Sequence, residues 1–351
     1  LNSTVINITQ RVLNSSGSKT YDANTNALAG AITLSNLVSG ETLNHSGTAS
    51  ISSANAGSYT ISNLSGISIA DNAGTASNYT LTGGTHNFTV NQRVVGVSGT
   101  RLYDASTNAV ASDLSTHANL VGTQTLTLSG TGTIASKNVG SSKTVSLGSL
   151  SIGDGSNGGL AANYTLTGGT HQLTVNQRPL AATLARQYDG TTTSAGSTLS
   201  SFDALQGGET LTMTGSGRVS SKNVANGQSV TLGSLALTDG TGSASNYSLN
   251  SALLNISPKP INTAYLSRTY NASTVVAGST LSSMTNLVGL ETLTLNGNGT
   301  LTNANVGNNK IVSSGTLALA DGSNGGLASN YTFSGGSHLL TVTPALISFT
   351  G

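Results

Sequence analysis

A short segment centred on a tyrosine recurs four times in the sequence, at intervals of 82, 85 and 82 residues. Every copy carries a basic residue two positions before the tyrosine and an Asp or Asn directly after it. The four tyrosines are Tyr21, Tyr103, Tyr188 and Tyr270. This period exceeds the roughly 20–50 residues of common solenoids, and it predicts a tandem array of small domains that each have their own core.

Three further signals recur in a fixed order with the same period. They are Asn-Tyr, a Glu or Gln followed by Thr-Leu, and an Asn followed by two small or aliphatic residues. The tyrosines of the Asn-Tyr signal are Tyr79, Tyr164, Tyr247 and Tyr331. Because all eight tyrosines keep their positions in the repeat, we interpret them as structural residues and not as parts of a binding site.

These landmarks divide the sequence into four complete repeats and two partial ones. We predict the tail of a preceding repeat at 1–11, repeats 1 to 4 at 12–93, 94–178, 179–259 and 260–343, and the start of a following repeat at 344–351. The sequence begins with Leu and shows no signal peptide, so we expect it to be a fragment of a longer precursor.

Alternating polar and apolar residues indicate that each repeat is built from β-strands. The stretch Thr144-Val145-Ser146-Leu147 is one of several with period two, which is typical of strands with one buried face. We predict an all-β fold in which about seven short antiparallel strands per repeat form a small immunoglobulin-like β-sandwich. Since no flexible linker separates the repeats, four of them are expected to form a rod of roughly 120–170 Å. A β-helix or solenoid is the alternative, but it should show a much shorter repeat.

The clearest tyrosine-centred copy is Arg186-Gln187-Tyr188-Asp189-Gly190. Residues two apart in an extended chain share a face, so the stem of Arg186 is expected to lie along the Tyr188 ring. Asp189 should begin a turn by bonding the backbone two residues on, and Gly190 tolerates a positive φ. We interpret the signal as a strand end with an Asx turn. In the fourth copy Asn271 keeps the turn without the charge, which disfavours a metal or glycan role.

Composition excludes several classes of function. Charged residues make up only 7% of the 351 residues and the formal net charge is +1, so no basic patch is available for nucleic acid. No apolar run approaches the length of a membrane helix, so no membrane span is expected. Cysteine is absent, and the repeats must therefore fold without disulfides. A surface built from Ser, Thr, Asn and Gly is common in extracellular proteins.

Two oxygen-rich loops are weak candidates for calcium binding. They begin at Asp154 and Asp321, and each continues as Gly-Ser-Asn-Gly-Gly. Calcium prefers six to eight oxygen ligands, whereas each loop offers one carboxylate, so an ordinary turn is the favoured interpretation. No nucleophile, base and orienting acid can be assembled from the sequence, so we expect neither a catalytic residue nor a cofactor.

The Tyr-Asp-Gly-Thr-Thr stretch at 188–192 and the Ala-Ser-Asn-Tyr stretch at 328–331 resemble the YDG repeat domain. The resemblance covers the whole chain as four tandem copies. It implies β-rich repeats of a large bacterial exoprotein of the filamentous-haemagglutinin type, which a partner transporter exports to the cell surface, and it implies no catalytic residues. Only one copy here has the full Tyr-Asp-Gly; the others have Ala in place of Gly.

We therefore expect a non-enzymatic stalk of a secreted bacterial adhesin or biofilm matrix protein. The adjacent repeats of the chain are its first expected partners. A self-assembling filament is one alternative, because few charged residues guard the sheet edges against like chains. A module that binds a host glycan, a matrix glycan or a receptor is another. It is weakened by the absence of Trp and by the structural positions of most tyrosines.

Overall fold

The computed structural model describes residues 5–281 and 283–348. These residues form β-strands and single 3-10 turns and contain no α-helix, which confirms the all-β prediction. The chain divides after residue 176 into two compact units, the first with repeats 1 and 2 and the second with repeats 3 and 4. The predicted terminal pieces, 1–11 and 344–351, lie partly outside the described residues.

The first unit contains nineteen strands and four 3-10 turns among its described residues. In repeat 1 the strands are β1 (Arg11–Val12), β2 (Asn14–Thr20), β3 (Asn26–Leu28), β4 (Ile32–Ser35), β5 (Asn44–Ile51), β6 (Gly57–Asn63), β7 (Ile67–Ala70), β8 (Tyr79–Thr80) and β9 (His86–Asn91), with turns at Ala29–Ala31 and Ala76–Asn78. In repeat 2 they are β10 (Arg93–Val94), β11 (Gly96–Leu102), β12 (Asn108–Val110), β13 (Thr116–Ala118), β14 (Leu126–Ser129), β15 (Thr131–Ile134), β16 (Gly140–Ser146), β17 (Ser151–Asp154), β18 (Tyr164–Thr165) and β19 (His171–Asn176), with turns at Ala111–Asp113 and Ala161–Asn163.

The second unit repeats this order of elements. In repeat 3 the strands are β20 (Arg178–Gln187), β21 (Thr193–Ala195), β22 (Leu199–Phe202), β23 (Leu211–Thr214), β24 (Ser216–Arg218), β25 (Ala225–Ser229), β26 (Ala236–Asp239) and β27 (Tyr247–Ser257), with turns at Gly196–Thr198 and Ala244–Asn246. In repeat 4 they are β28 (Lys259–Pro260), β29 (Asn262–Thr269), β30 (Val275–Ala277), β31 (Met284–Thr285), β32 (Leu293–Asn296), β33 (Asn298–Thr300), β34 (Gly307–Ile311), β35 (Ala318–Asp321), β36 (Tyr331–Thr332) and β37 (His338–Thr343), with turns at Gly278–Leu281 and Ala328–Asn330.

The sheets are mixed, which corrects the prediction of antiparallel strands alone. In every repeat the first long strand pairs in parallel with the last one: β2 with β9, β11 with β19, β20 with β27 and β29 with β37. Alternation along a single strand cannot reveal this, because parallel and antiparallel partners impose the same period on the side chains. The short strands β1, β10 and β28 pair in parallel with the strand of the Asn-Tyr signal in the repeat that they precede.

Each sheet curls towards a barrel. In repeat 2 the strand order is β12-β15-β16-β19-β11-β13, and in repeat 1 it is β3-β5-β6-β9-β2-β4. The outermost strands of each order follow one another in the chain, separated by a 3-10 turn and at most two further residues, which brings the two edges of the sheet together. In repeats 3 and 4 the equivalent strands are divided among smaller sheets, the largest of which have the orders β22-β20-β27-β25 and β31-β29-β37-β34. The sheets of each repeat stay within that repeat, in place of the continuous rungs of a solenoid. The strand pairing does not establish the two separate layers of an immunoglobulin-like sandwich.

The core of each repeat lies between the parallel strands and the rest of the curled sheet. On β20 the side chains of Leu180, Ala182 and Leu184 are buried, and the residues between them are more exposed. Burying one such leucine contributes about 1.5–3 kcal/mol. In the second unit the cluster that contains Leu184 also includes Leu293 and Tyr331 of repeat 4. The core of repeat 3 therefore continues into the next repeat.

Candidate functional site: the joints between repeats

The tyrosine-centred signal ends a strand and forms the predicted Asx turn. The Oδ1 atom of Asp189 accepts a hydrogen bond of 2.9 Å from the backbone N–H of Thr191. The same bond is present in the other three copies, where the side-chain oxygens of Asp22, Asp104 and Asn271 accept it from the backbone N–H two residues on. Because Asn271 forms the bond as well as the aspartates do, the turn needs a side-chain oxygen and does not need a charge.

The charged group of the basic residue in the signal binds this turn. The guanidinium of Arg186 pairs with the Asp189 carboxylate and donates a hydrogen bond of 2.6 Å to the carbonyl of Thr191. In the first copy Lys19 pairs with Asp22 at 2.9 Å. Turn carbonyls and a nearby carboxylate attract the charged group of the basic residue more strongly than a ring face does. The basic residue therefore stabilises the turn.

The tyrosine of one repeat packs on the Asn-Tyr tyrosine of the next. In the second unit the ring of Tyr188 meets the ring of Tyr331 edge to face, with 5.4 Å between centroids and 76° between planes. Both rings are almost fully buried. Pairs of this geometry contribute about 0.5–1.5 kcal/mol beyond their buried area. These two signals, about 140 residues apart in the sequence, therefore form one contact between repeats 3 and 4.

A carboxylate from the third signal connects the two tyrosines. The hydroxyls of Tyr188 and Tyr331 each donate a hydrogen bond of 2.7 Å to the carboxylate of Glu291. The ammonium of Lys222 adds a third at 2.8 Å, and it also lies over the Tyr188 ring, 5.8 Å from its centroid. Glu291 is only 7% exposed, so its charge is balanced by a lysine from the preceding repeat.

The fourth signal supplies the remaining contact of this joint. The side-chain carbonyl of Asn330 accepts a hydrogen bond of 2.9 Å from the backbone N–H of Val224. Its amide donates one of 3.0 Å to the side-chain oxygen of Asn223. Asn330 is fully buried, and both of its polar atoms are paired. All four signals of the sequence thus meet at the joint, two from each repeat.

The first unit builds the joint between repeats 1 and 2 in the same way. The rings of Tyr21 and Tyr164 meet edge to face at 5.3 Å. Here Gln124 takes the place of the carboxylate: its amide donates to the Tyr21 hydroxyl at 2.9 Å, and its carbonyl accepts from the Tyr164 hydroxyl at 2.5 Å. Asn163 pairs with Asn55 at 3.0 Å. A neutral amide can therefore replace Glu291 and Lys222 together.

The remaining repeat tyrosines differ in exposure. Tyr103 and Tyr247 are buried, and Tyr79 is buried within repeat 1, where its hydroxyl donates to the Glu41 carboxylate. Tyr270 is 40% exposed, unlike the other three tyrosines of its signal. The sequence identified all eight positions as structural. It did not reveal that pairs of them come together across a joint, because nothing in a single repeat shows which end faces its neighbour.

The joint in the second unit perturbs the acidity of its groups. Burial opposes ionisation of Glu291, but hydrogen bonds from Lys222, Tyr331 and Tyr188 outweigh it and hold the pKa of the carboxyl below its ordinary value of 4.5. Burial and the hydrogen bond to Glu291 raise the pKa of Tyr331. The hydrogen bonds to Glu291 and Tyr188 raise the pKa of Lys222. The joint therefore holds a carboxylate and an ammonium at neutral pH.

Acid is expected to weaken this joint. Because the folded pKa of Glu291 lies below the unfolded one, its contribution is complete above about pH 4.5 and is lost as the pH falls through the folded pKa. The Glu291→Gln variant, which copies Gln124, should lack this dependence. Thermal melting followed by circular dichroism between pH 3 and pH 6 would show the two melting temperatures converging in acid. A constant difference across that range would contradict the expectation.

The calcium candidates serve as caps of the 3-10 turns that carry the Asn-Tyr signal. Asp154 accepts a hydrogen bond of 2.7 Å from the backbone N–H of Ala161, and Asp321 accepts one of 2.7 Å from Ala328. The equivalent aspartates, Asp71 and Asp239, make the same bond. Within residues 5–281 and 283–348, no group of three or more His, Asp or Glu side chains is placed to hold a metal ion.

A chelator is therefore expected to leave the melting temperature unchanged. Asp154→Ala should instead lower the free energy of unfolding of its repeat by about 1 kcal/mol, because the N–H of Ala161 loses its acceptor. Asp71→Ala in repeat 1 is the matched control and should cost a similar amount. A drop in melting temperature on chelation that disappears in Asp154→Ala would show that the loop does bind calcium.

Gly190 follows the aspartate of its signal, at the position where the other three copies have alanine. Its φ is +76°, and a Cβ there would lie 2.5 Å from Cγ1 of Val288 in repeat 4. The equivalent Ala23, Ala105 and Ala272 also have positive φ, between 61° and 64°. Alanine therefore accepts the backbone of the turn at a cost of about 1–2 kcal/mol.

Gly190→Ala is expected to lower the stability of the joint between repeats 3 and 4 by about 1–3 kcal/mol, from backbone strain and the displaced valine. Ala272→Gly is the reverse change in the same turn. It should alter stability by less than about 0.5 kcal/mol, because relief of strain is offset by the flexibility of glycine in the unfolded chain. Urea unfolding of both variants provides the test, and equal effects of opposite sign would contradict it.

Comparisons with known proteins agree with the fourfold division. The YDG domain matches four times, at residues 6–87, 89–172, 170–253 and 257–338. No curated protein matches the chain. In the described part of the chain, no helix has the length and apolarity needed to cross a bilayer.

Proposed function

The chain belongs to the YDG domain family, and we propose that its four repeats form a structural stalk of a secreted bacterial surface protein. The parent protein would be an adhesin or biofilm matrix protein of the filamentous-haemagglutinin type. The observation that carries this proposal is the construction of the joints. In each unit the two repeats meet through buried, hydrogen-bonded side chains from both partners, with no flexible linker between them.

Such joints favour a mechanical role. A stalk must transmit load and hold a tip at a distance, so successive repeats must resist bending against each other. Inter-domain contacts that are small and polar permit such motion, whereas continuous cores suppress it. In the second unit the core of repeat 3 extends into repeat 4, which couples the two repeats. We infer that the stalk is a rod built from sandwich-like repeats, as the sequence predicts.

The composition supports a place outside the cell. A surface of Ser, Thr, Asn and Gly with 7% charged residues offers few groups for unspecific ionic contacts. No catalytic role is proposed, because the titratable groups of the joints are bonded to one another and serve cohesion. Glycan binding is not adopted, since most of the tyrosines that a sugar platform would need are buried between strands or repeats.

Small-angle X-ray scattering of the full chain tests the stalk. We expect a maximum dimension of roughly 120–170 Å, from four repeats that each span about ten strand residues or more. Loosening a joint with Tyr188→Ala should broaden the distance distribution without unfolding the strands. A compact particle of half that dimension would overturn the proposal. Surface proteolysis of intact producing cells tests the location: fragments of the chain should be released, and complete protection would exclude an exposed stalk.

A further inference from the structure

In every repeat the first long strand and the last one lie side by side and run in the same direction. The four parallel pairs are β2 with β9, β11 with β19, β20 with β27 and β29 with β37. The chain enters a repeat just before the first of these strands and leaves it at the end of the last. Because the strands are parallel, the points of entry and exit lie at opposite ends of the pair.

Tension along the chain therefore slides the two strands past each other. In repeat 2 the register begins with Val97 opposite His171 and continues for six residue pairs. The hydrogen bonds of a parallel ladder are evenly spaced along the strands. Sliding strains all of these bonds together, whereas pulling the strands apart from one end breaks them one after another. The direction of the load thus favours the folded repeat.

The tyrosine-centred signal closes the ladder at its far end. The backbone N–H of Tyr188 donates a hydrogen bond of 2.9 Å to the carbonyl of Ser257, the last residue of β27. The same bond is made in the other repeats, from Tyr21, Tyr103 and Tyr270 to the carbonyls of Asn91, Asn176 and Thr343. The Asx turn follows directly. In all four repeats the ladder therefore ends on a backbone bond that the next turn holds in place.

A single residue separates the last strand of one repeat from the first strand of the next. These residues are Gln92, Gln177 and Pro258. Since such a connection has no slack, tension passes along the chain from one strand pair to the following pair. The residues between the two long strands, 103–170 in repeat 2, lie outside this path. They carry no tension until the strand pair has separated.

We propose that each parallel strand pair is a mechanical clamp, which keeps its repeat folded while the chain is under tension. The clamp consists of the first and last long strands of a repeat and of the tyrosine N–H that closes their ladder. It resists stretching, whereas the joints between repeats resist bending. The clamp follows from the strand pairing alone, so it goes beyond the stalk function and does not depend on it.

The clamp of repeat 3 is the least interrupted of the four. Its strands β20 and β27 are paired over ten residues, beginning with Arg178 opposite Tyr247 and with one register shift. In the other repeats a loop divides the last strand from the strand of the Asn-Tyr signal, at residues 81–85, 166–170 and 333–337. In repeat 3 the two are joined in β27, a single strand of 11 residues. We therefore expect repeat 3 to need the largest force.

Single-molecule force spectroscopy of the full chain, held by its two ends, tests the clamp. One unfolding event per repeat is expected. Each event should lengthen the chain by about 250 Å, since about 82 residues of about 3.5 Å each replace a folded span of about 35 Å. The event at the highest force should belong to repeat 3, because forced unfolding is governed by the unfolding barrier.

A change of pulling direction provides the decisive comparison. Because the chain has no cysteine, two new thiols give unique attachment points. Gln187→Cys and Ser257→Cys place them opposite each other at the far end of the repeat 3 ladder, where both positions are exposed. Pulling between the thiols peels the strands apart, so the unfolding force should fall at least about twofold as the bonds break singly. Equal forces in the two directions would overturn the clamp.

The same double variant in its oxidised form identifies the event of repeat 3. Paired residues on neighbouring strands lie at a separation that a disulfide can span. The bridge would enclose residues 188–256, so the event of repeat 3 should vanish from traces taken by the chain ends while the other three events remain. If a weaker event vanished in its place, the length of the ladder would not set the force, contrary to the proposal.

Glu291→Ala separates the clamp from the joint. It removes a central contact between repeats 3 and 4 but no residue of either ladder, so the unfolding forces measured from the chain ends should stay unchanged. A fall in the forces of both repeats would show that the joint carries the tension, which would overturn the clamp. Failure of the stalk proposal would appear elsewhere, as a compact particle in X-ray scattering with the clamp forces unaltered.

Discussion

Replacing Tyr188 with alanine is expected to lower the free energy of opening of the joint between repeats 3 and 4 by about 3–5 kcal/mol. The ring is 1% exposed and packs on Tyr331 of the next repeat, so its removal leaves a cavity that neither repeat alone can close. The change also removes one hydroxyl from Glu291 and one ring face from Lys222. Few single changes in the chain remove contacts from two repeats at once.

The amide of Val224 reports on this opening. It donates a hydrogen bond of 2.9 Å to the side-chain carbonyl of Asn330 in the next repeat, so this bond is lost when the joint opens. Native-state hydrogen exchange of the full chain should show its protection falling by a factor of about 10²–10³ or more in Tyr188→Ala. The amide of Ala56, which donates to the side-chain carbonyl of Asn163 across the joint of the other unit, should keep its protection.

Tyr270→Ala is the matched control for this change. It removes the same side chain from the same signal, but Tyr270 is 40% exposed and no following repeat covers it in the structure. The loss of stability should be about 1 kcal/mol or less. Similar losses at Tyr188 and Tyr270 would mean that the tyrosine stabilises its own repeat, and that the joint is not the reason for its recurrence.

The sequence predicted the repeating β-architecture because period and alternation are local properties. Four landmarks in a constant order fixed the number of repeats, and the alternation at 144–147 fixed the strand type. The parallel pairing of strands such as β20 and β27 could not be predicted in this way. It joins segments some 70 residues apart, and an alternating strand carries no mark of the direction of its neighbour.

The sequence predicted the turn at the joint but not the contacts across it, for a related reason. Asp189 and Gly190 were correctly interpreted as a turn, since Asx chemistry involves residues two apart. Glu291 and Lys222 lie 69 residues apart and recur irregularly, as Gln124 and Ala54 in the first unit. Their ion pair can be recognised only from a structure that contains both neighbouring repeats. Recurrence of all four signals is thus explained by one surface contact that is made repeatedly.

This explanation also accounts for the variation among copies. The neutral joint has a glutamine with no lysine, and the charged joint has a glutamate with Lys222. A buried carboxylate without a cation would be costly, so the two positions are expected to change together. The charge of the joint is therefore a property of two neighbouring repeats and cannot be assigned from one.

Replacing Glu291 with alanine is expected to weaken the joint by about 2–3 kcal/mol, because the hydroxyls of Tyr188 and Tyr331 lose a shared charged acceptor inside a buried site. The side chain of Lys222 is 38% exposed, so its ammonium can turn to water and adds little to this cost.

Two variants separate the lost acceptor from the lost charge. Glu291→Gln keeps an acceptor and copies Gln124, so it should cost about 1 kcal/mol or less. Glu41→Ala removes the equivalent carboxylate from repeat 1, where only the Tyr79 hydroxyl loses its acceptor among the bonds described, and should also cost about 1 kcal/mol. Exchange of the Val224 amide measures the two Glu291 variants, and urea unfolding compares all three. If Glu291→Gln proved as damaging as Glu291→Ala, the ion pair with Lys222 would be the main bond of the joint, and the two tyrosine hydroxyls would contribute little.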